Sequence, residues 1–333
     1  MSSHHDSFAQ LANGRALPLE DLPTLALDGF QQAILQGVVS GQRVSALFGD
    51  ASPHAGMTQV YVVMADDEQN RLWAGRTQIE GDQFPSLTPQ CPQVHMFERE
   101  IAEQYGLKPI GHPWLKPVRY HRSTTGRDAW DRPADQEILP GVCDFFRVEG
   151  EEVHEVAVGP VHAGIIEPGH FRFQCHGESV FHLEIALGYQ HRGVERAMIG
   201  GPDNRSIHYA ETLAGDTTIA HAMSYCQMLE ALTRCQKSAR AQTLRGIALE
   251  LERLANHVGD LGAIAGDVGF LPTSSYCGRI RGDFLNMTAL LCGSRFGRGM
   301  IRPGGVGFDI DDSLAAEILR RLDNAERETA GAV

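Results

Sequence analysis

Two hydrophobic periodicities divide this chain. Up to about residue 187 the apolar residues fall mostly in short runs or at every second position; from about Thr217 onward they fall at helical spacing. Val44–Phe48 is a short apolar run, and Thr58–Ala65 (TQVYVVMA) has the β-branched and aromatic composition of a strand. The polar cluster Asp66–Asn70 interrupts it and Arg71–Ile79 resumes, so the pair predicts a hairpin. Pro92 opens a predicted helix that carries Val94, Phe97, Ile101 and Tyr105 at helical spacing and stops at Gly106. Phe145–Val148 and Val153–Val158 read as strands. Phe171–Cys175 and Val180–Leu187 flank a His176-Gly177-Glu178-Ser179 turn. In the second of these runs Phe181, Leu183, Ile185 and Leu187 alternate with His182, Glu184 and Ala186, which predicts one face on a core and one toward solvent or a partner.

The clearest helix runs from about Ser238 to Ala265. Leu244, Ile247, Leu251, Leu254, Val258, Leu261 and Ala265 alternate steps of three and four, the seam of a left-handed bundle. Gly259, Gly262 and Gly266 fall at the same end, and a glycine costs about 1 kcal/mol in a helix interior. The expected compensation is close approach of a neighbouring backbone. Another helix covers roughly Ser274 to Phe296. Arg302-Pro303-Gly304-Gly305-Val306 breaks the pattern, and Asp311, Asp312 and Ser313 can cap a last helix. The expected fold class is therefore α+β: a small N-terminal α/β domain, then a small antiparallel β-sheet leading into an α-helical bundle. The expected domains are 1–121 and 145–333, joined by a polar linker, 122–144.

Composition narrows the function. A net charge of −13 argues against nucleic acid and against direct binding to anionic lipid. No apolar run approaches the roughly 20 residues that span a bilayer. The first residues lack the basic and apolar regions of a secretory signal, so the expected location is cytoplasmic. Only Lys108, Lys116 and Lys237 are lysines; base composition explains this, and so does the suitability of arginine for interfacial ion pairs. The seven cysteines are widely spaced with no C-x-x-C, which fits small buried residues better than disulfides, zinc or cubane clusters. No phosphate-binding glycine loop, nucleophile elbow or H-E-x-x-H is present.

Several segments resemble a known family. Gly159–Arg196 (GPVHAGIIEPGHFRFQCHGESVFHLEIALGYQHRGVER) resembles the first segment of the large subunit of formate-hydrogenlyase-type NiFe hydrogenases and of the homologous D-type subunit of respiratory complex I. Phe97–His121 (FEREIAEQYGLKPIGHPWLKPVRYH) resembles the signature of the complex I C-type subunit, an acidic helix followed by a Gly-His-Pro loop. Leu244–Gly269 resembles the long helix of the D-type subunit, with Glu252, Arg253, Asn256 and His257 on it. Ser294–Val306 ends in the R-P-G-G-V loop of both branches.

The resemblance implies a fused C-D type subunit in the cytoplasm-facing peripheral arm of a membrane-bound oxidoreductase, held on the inner face of the cell membrane through partners. Implied partners are an iron–sulfur small subunit, a ferredoxin-like subunit and membrane antiporter-like subunits. The iron–sulfur clusters would lie in those partners, and quinone or NAD(H) would enter only at the level of the assembly. The segment where the hydrogenases place their first nickel-binding cysteine pair reads Ala214-Gly215-Asp216-Thr217, so the expectation is no metal here. The family's quinone-binding histidine and tyrosine are replaced by Pro168 and Gly215. Hydrogenase large subunits of this type continue further and end in a second cysteine pair, so a missing C-terminal part is also expected.

The candidate site residues follow from the same segments. Glu167 and His170 are the candidate proton relay, a role that needs a carboxyl in a dry pocket. The plainer reading of Glu167 is a loop carboxylate paired with Arg172 or a backbone amide. His162, Arg172 and Asp216 are further polar groups of a possible remodelled site. His191 and Arg192 would face a cluster in the small subunit, Gly193 letting the chain turn into the next helix; the plainer reading is an Arg192–Glu195 helical pair. Two functions stay open, an active redox subunit and a non-catalytic scaffold that retains only the docking surface.

Overall fold

A computed structural model describes residues 7–51, 56–133, 135–139, 141, 144–160 and 168–332. They fall into two compact units, Met1–His191 and Arg192–Val333. The second small sheet falls within the first of these units.

The first unit opens with β1 (Ala9–Leu11), β2 (Thr24–Leu25) and α1 (Leu27–Val39), followed by β3 (Arg43–Ala51), β4 (Met57–Asp66) and β5 (Arg71–Glu80). The sheet runs β1-β5-β4-β3, with β2 pairing parallel to β5. The expected hairpin is present: Ala65 pairs with Leu72 and Asp66 with Arg71, and Asn70 turns the chain at φ 53°. Helix α1 was not expected. Its buried residues Phe30, Ala33, Ile34 and Gly37 do have helical spacing, but two glycines and the lack of a side-chain cap mask it.

β6 (Gln83–Pro85) pairs parallel with β7 (Lys108–Ile110), and α2 (His95–Tyr105) lies between them in sequence. A 3-10 turn at Pro92–Val94 leads into α2, and Gly106 at φ 68° ends it, as the sequence predicts. The polar residues of α2 hold its surroundings. Glu98 accepts from the amides of Leu87 and Thr88 and from two hydroxyls, Ser86 and Thr88. Arg99 donates to the carbonyls of Lys116 and Pro117 at 2.7 and 2.9 Å. Glu103 accepts from three successive amides, Val118, Arg119 and Tyr120, at 3.1, 2.8 and 2.8 Å. The acidic helix is therefore a clamp on the chain that leaves it. The Gly-His-Pro loop is fixed likewise: the Trp114 amide donates to His112 Nδ1 at 3.0 Å, which leaves Nε2–H to face the His95 carbonyl at 3.2 Å.

β8 (Val153–Val158), β9 (His170–His176) and β10 (Ser179–Ala186) form an antiparallel sheet in the order β10-β9-β8. Phe145–Val148, expected as a strand, makes none. It lies against the polar face of this sheet, where the Phe146 amide donates to Glu184 and Arg172 stacks on Phe145. The two faces of β10 divide into one packed and one open, as the alternation predicts. Glu184 is 2% exposed and Phe181 57%, so the polar side is packed and the apolar side, with Leu183, Ile185 and Leu187, is open. Residues far along the chain decide this: Lys116 pairs with Glu184, and His182 lies against the rings of Trp114 and Phe146.

The second unit is helical: α3 (Val194–Met198), α4 (Ser206–Glu211), α5 (Thr218–Thr233), α6 (Ala239–Asp267), α7 (Leu271–Cys292) and α8 (Asp312–Ala332). Ser238 caps α6 by accepting from the Ala241 amide, and Asp311 caps α8 by accepting from the Leu314 amide. The buried stripe of α6 alternates small and large residues: Ala241, Leu244, Ala248, Leu251, Ala255, Val258, Gly262 and Ala265. Of the seven predicted seam residues, Leu244, Leu251, Val258 and Ala265 are buried and Ile247 packs against the core. Leu254 and Leu261 sit at its exposed edge instead, because alanine and glycine admit the partner helix more closely. A Cβ on Gly262 would lie 2.9 Å from the Cβ of Cys277 on α7, which is the close approach expected at these glycines. The R-P-G-G-V segment is a tight hairpin of β11 (Ile301–Arg302) and β12 (Gly305–Val306) around Pro303-Gly304, with Gly304 at φ 83°. No helix among the described residues is long and apolar enough to cross a membrane.

Candidate functional site

His162 and Glu167 lie outside the described residues. His170 and Arg172, on the same face of β9, are brought together. Arg172 Nε donates to His170 Nε2 at 3.2 Å and Nη1 pairs with Glu155 at 2.9 Å. The guanidinium lies 4.1 Å from the Phe145 ring centroid. Burial, then the Arg172 charge, lowers the pKa of His170, so its imidazole is neutral and accepts at Nε2. A neutral histidine in this state can receive a proton at that nitrogen only after Arg172 has moved aside.

His191 ends the first unit with its ring 4.2 Å from that of His121, centroid to centroid. His121 Nδ1 faces the Arg122 carbonyl, while Nε2 is buried with no hydrogen-bond partner among the described residues. His121 is not among the residues expected from sequence, although it closes the Phe97–His121 motif. The two complex I-like segments therefore meet at a pair of histidine rings tilted 32° to each other.

Arg192 begins the second unit, and there its guanidinium donates to the carbonyls of Thr212 and Leu213. It thus satisfies carbonyls just past α4, an alternative to the i,i+3 pair with Glu195. Gly193, at φ 68°, is the N-cap of α3, so the predicted turn into a helix is present.

Asp216 is exposed, two residues before α5. Its carbonyl accepts from Asn256 Nδ2 at 3.1 Å. Four residues earlier on α6, Glu252 accepts from the amides of Ile219 and Ala220 at 2.7 and 3.0 Å. One helix face thus supplies both braces for the start of α5. Burial raises the Glu252 carboxyl above its ordinary value, against the lowering effect of the two amides. Glu252 was legible as a charge beside the apolar seam, flanked by Leu251 and Ala255.

The residues at the first nickel-ligand position have other roles. Ala214 offers no side-chain donor, and the Thr217 hydroxyl is engaged with His221 Nδ1 at 3.0 Å. Cys226 and Cys292 are buried in the helical core, where burial pushes the Cys226 thiol up to about 11 and raises that of Cys292. Nickel binds thiolates, and Ala214, Gly215, Asp216 and Thr217 supply none. The described residues at this position do not fit the ion.

Residues 33–130 match the respiratory-chain NADH dehydrogenase 30 Kd subunit family. The chain is similar to hydrogenase-4 component G of Escherichia coli (strain K12), 31% identical over 86% of this chain and 57% of the relative. It is similar to formate hydrogenlyase subunit 5 of the same organism, 30% identical over 82% of this chain and 51% of the relative. A third relative is the C/D subunit of the NADH-quinone oxidoreductase of Bdellovibrio bacteriovorus, 25% identical over 81% of this chain and 50% of the relative. The chain thus spans about half the length of the curated relatives it matches. Its fold resembles a chain in the structure of the membrane-bound sulfane sulfur reductase, an archaeal respiratory membrane complex, with a TM-score of 0.51 and 19% identity over 55% of this chain and 49% of the other. The chain belongs to the family of formate-hydrogenlyase-type hydrogenase large subunits and fused C/D subunits of NADH-quinone oxidoreductase.

Proposed function

We propose that this chain is a subunit of the peripheral arm of a membrane-bound hydrogenase or NADH:quinone oxidoreductase-like electron-transfer complex. It docks an iron–sulfur small subunit and couples that arm to a membrane module. Electrons pass through clusters in that small subunit and in a ferredoxin-like partner. Antiporter-like subunits hold the assembly on the inner, cytoplasmic face of the membrane. The observation that carries this reading is continuity: the likeness to such subunits covers 81–86% of the chain, including both compact units. Within it, residues 1–121 take the C-type part, 122–144 the connection and 145–333 the D-type part.

The proposed site centres on Glu167 and His170 as a proton relay, with His162, Arg172 and Asp216 as neighbouring polar groups and His191 and Arg192 facing the cluster-bearing partner. Arg172 acts as a positioning residue, since it engages His170 directly. The scaffold reading differs at one residue. Glu167→Gln is expected to lower turnover of the assembled complex about a hundredfold, the low end for general acid–base catalysis, with assembly unchanged. Unchanged turnover would leave the chain a scaffold.

A further inference from the structure

Inside the first unit, a cavity of about 310 Å³ lies between α2 and β10. Trp114, Pro117, Val118, Leu183, Ile185 and Leu187 form most of its apolar wall. Its polar members are His95 and Arg99, and they differ. Arg99 is spent: Nε and Nη2 donate to the Lys116 and Pro117 carbonyls, and Nη1 faces Met96 Sδ at 3.4 Å. A carboxylate entering the cavity would find no open guanidinium fork. His95 stacks on His112 at 5.1 Å, and no hydrogen bond to its ring nitrogens occurs among the described residues. Burial, then Arg99 and His112, lowers its pKa, so it presents one donor and one acceptor without charge.

The walls are fixed independently of any occupant. Arg99 and Glu103 clamp residues 116–120 to α2. Lys116 pairs with the buried Glu184 of β10. Gly188, just past β10, lies so close to Val118 that a Cβ there would overlap the Val118 carbonyl oxygen. A cavity braced by buried polar contacts cannot relax shut. An apolar molecule that fills it gains dispersion contacts and removes Leu183, Ile185 and Leu187 from water. Its size falls within the range of small-molecule sites.

We infer that this cavity binds a small uncharged aromatic molecule carrying one hydroxyl or carbonyl group, its ring among Trp114, Val118 and Ile185 and its polar group on His95. Nothing in the proposed electron-transfer role requires such a site, and either can fail without the other.

The test is titration of the full chain, alone or in its purified complex, with 2-naphthol and with naphthalene, followed by ligand fluorescence and calorimetry. Saturable one-to-one binding of 2-naphthol is expected, with a Kd on the order of 100 µM for a ligand of this size. Ile185→Trp, at the open mouth, fills the cavity and is expected to abolish binding of both probes. His95→Phe keeps the ring stack and removes the polar group; it is expected to weaken 2-naphthol about tenfold, the effect of one hydrogen bond, and to leave naphthalene unchanged. Circular dichroism checks that both variants fold. Absence of saturable binding, binding that survives Ile185→Trp, or equal weakening of both probes by His95→Phe would each overturn the inference.

Discussion

Glu230 and Arg245 form a bidentate ion pair in the second unit, at 2.6 and 3.1 Å, with side chains 1% and 4% exposed. Glu230 lies near the end of α5 and Arg245 projects from α6, so the pair ties two helices. It also recruits the β11–β12 hairpin. The Gly304 amide donates to Glu230 at 2.8 Å, and Arg245 donates to the carbonyls of Gly305 and Arg302 at 2.9 and 2.6 Å. Lys237 adds a further cation contact at 3.2 Å. The R-P-G-G-V segment keeps its shape because a buried charge pair needs its backbone groups to complete the hydrogen bonding.

Breaking this pair leaves an uncompensated buried charge. Glu230→Gln is expected to destabilise the second unit by about 3–5 kcal/mol, measured by urea denaturation. Burial alone would raise the Glu230 carboxyl, but hydrogen bonds from Arg245, Gly304 and Lys237 hold it below its ordinary value of 4.5. A depressed carboxyl contributes stability that is complete above the unfolded value and is lost as pH falls through the folded one. The cost of Glu230→Gln should therefore be largest at neutral pH and shrink below pH 4.5. A cost that does not change with pH would remove the ion pair from the explanation.

Glu252 gives the opposite pH dependence. Its carboxyl is raised, so its contribution is greatest below the unfolded value and declines as pH rises through the folded one. Glu252→Gln keeps one acceptor for the Ile219 amide and cannot ionise. Relative to the unaltered chain it should be less stable by about 1 kcal/mol in acid, one hydrogen bond, and recover that deficit in part or fully as pH rises above the ordinary carboxyl value of 4.5 and through the raised one. Urea melts of both proteins at several pH values decide this; a constant difference would contradict it.

Much of the fold was legible because its signals are local. The Asp66–Asn70 break and Gly106 act through backbone geometry, and Ser238 through a side-chain cap, each within a few residues. α1 escaped because Gly29 and Gly37 interrupt a pattern that Phe30, Ala33 and Ile34 otherwise carry. Which face of β10 is packed was not legible. Alternation tells which residues share a face, but only the distant Lys116 and the Trp114 ring decide that the Glu184 face is the packed one. The candidate site shows the same limit. His191 and Asp216 stand out in the sequence, while the neighbours they meet in the fold, His121 and Asn256, come from segments 40 or more residues away.

The apolar end of the α6–α7 hairpin is the clearest partner surface of the second unit. Ile264, Val268, Phe270 and Leu271 are all exposed, Val268 at 76%. Contiguous surface of this kind marks an interaction site or an aggregation hazard. The isolated chain is expected to be oligomeric or poorly soluble by light scattering coupled to size exclusion. Ile264→Lys with Val268→Glu should raise its solubility without lowering its melting temperature, because neither residue is buried. A soluble monomer without these substitutions would show that the face needs no partner.

A docking subunit whose redox centres lie in its neighbours should co-purify with them. The direct measurement is purification of the assembly from its native host through a tag on this chain, with subunits identified by mass spectrometry and iron, acid-labile sulfide and nickel quantified per chain. The expected result is a one-to-one complex with a cysteine-rich iron–sulfur protein, iron and sulfide in cluster stoichiometry, and no nickel on this chain. A chain that purifies alone as a stable monomer, or one that carries about one nickel ion, would contradict it.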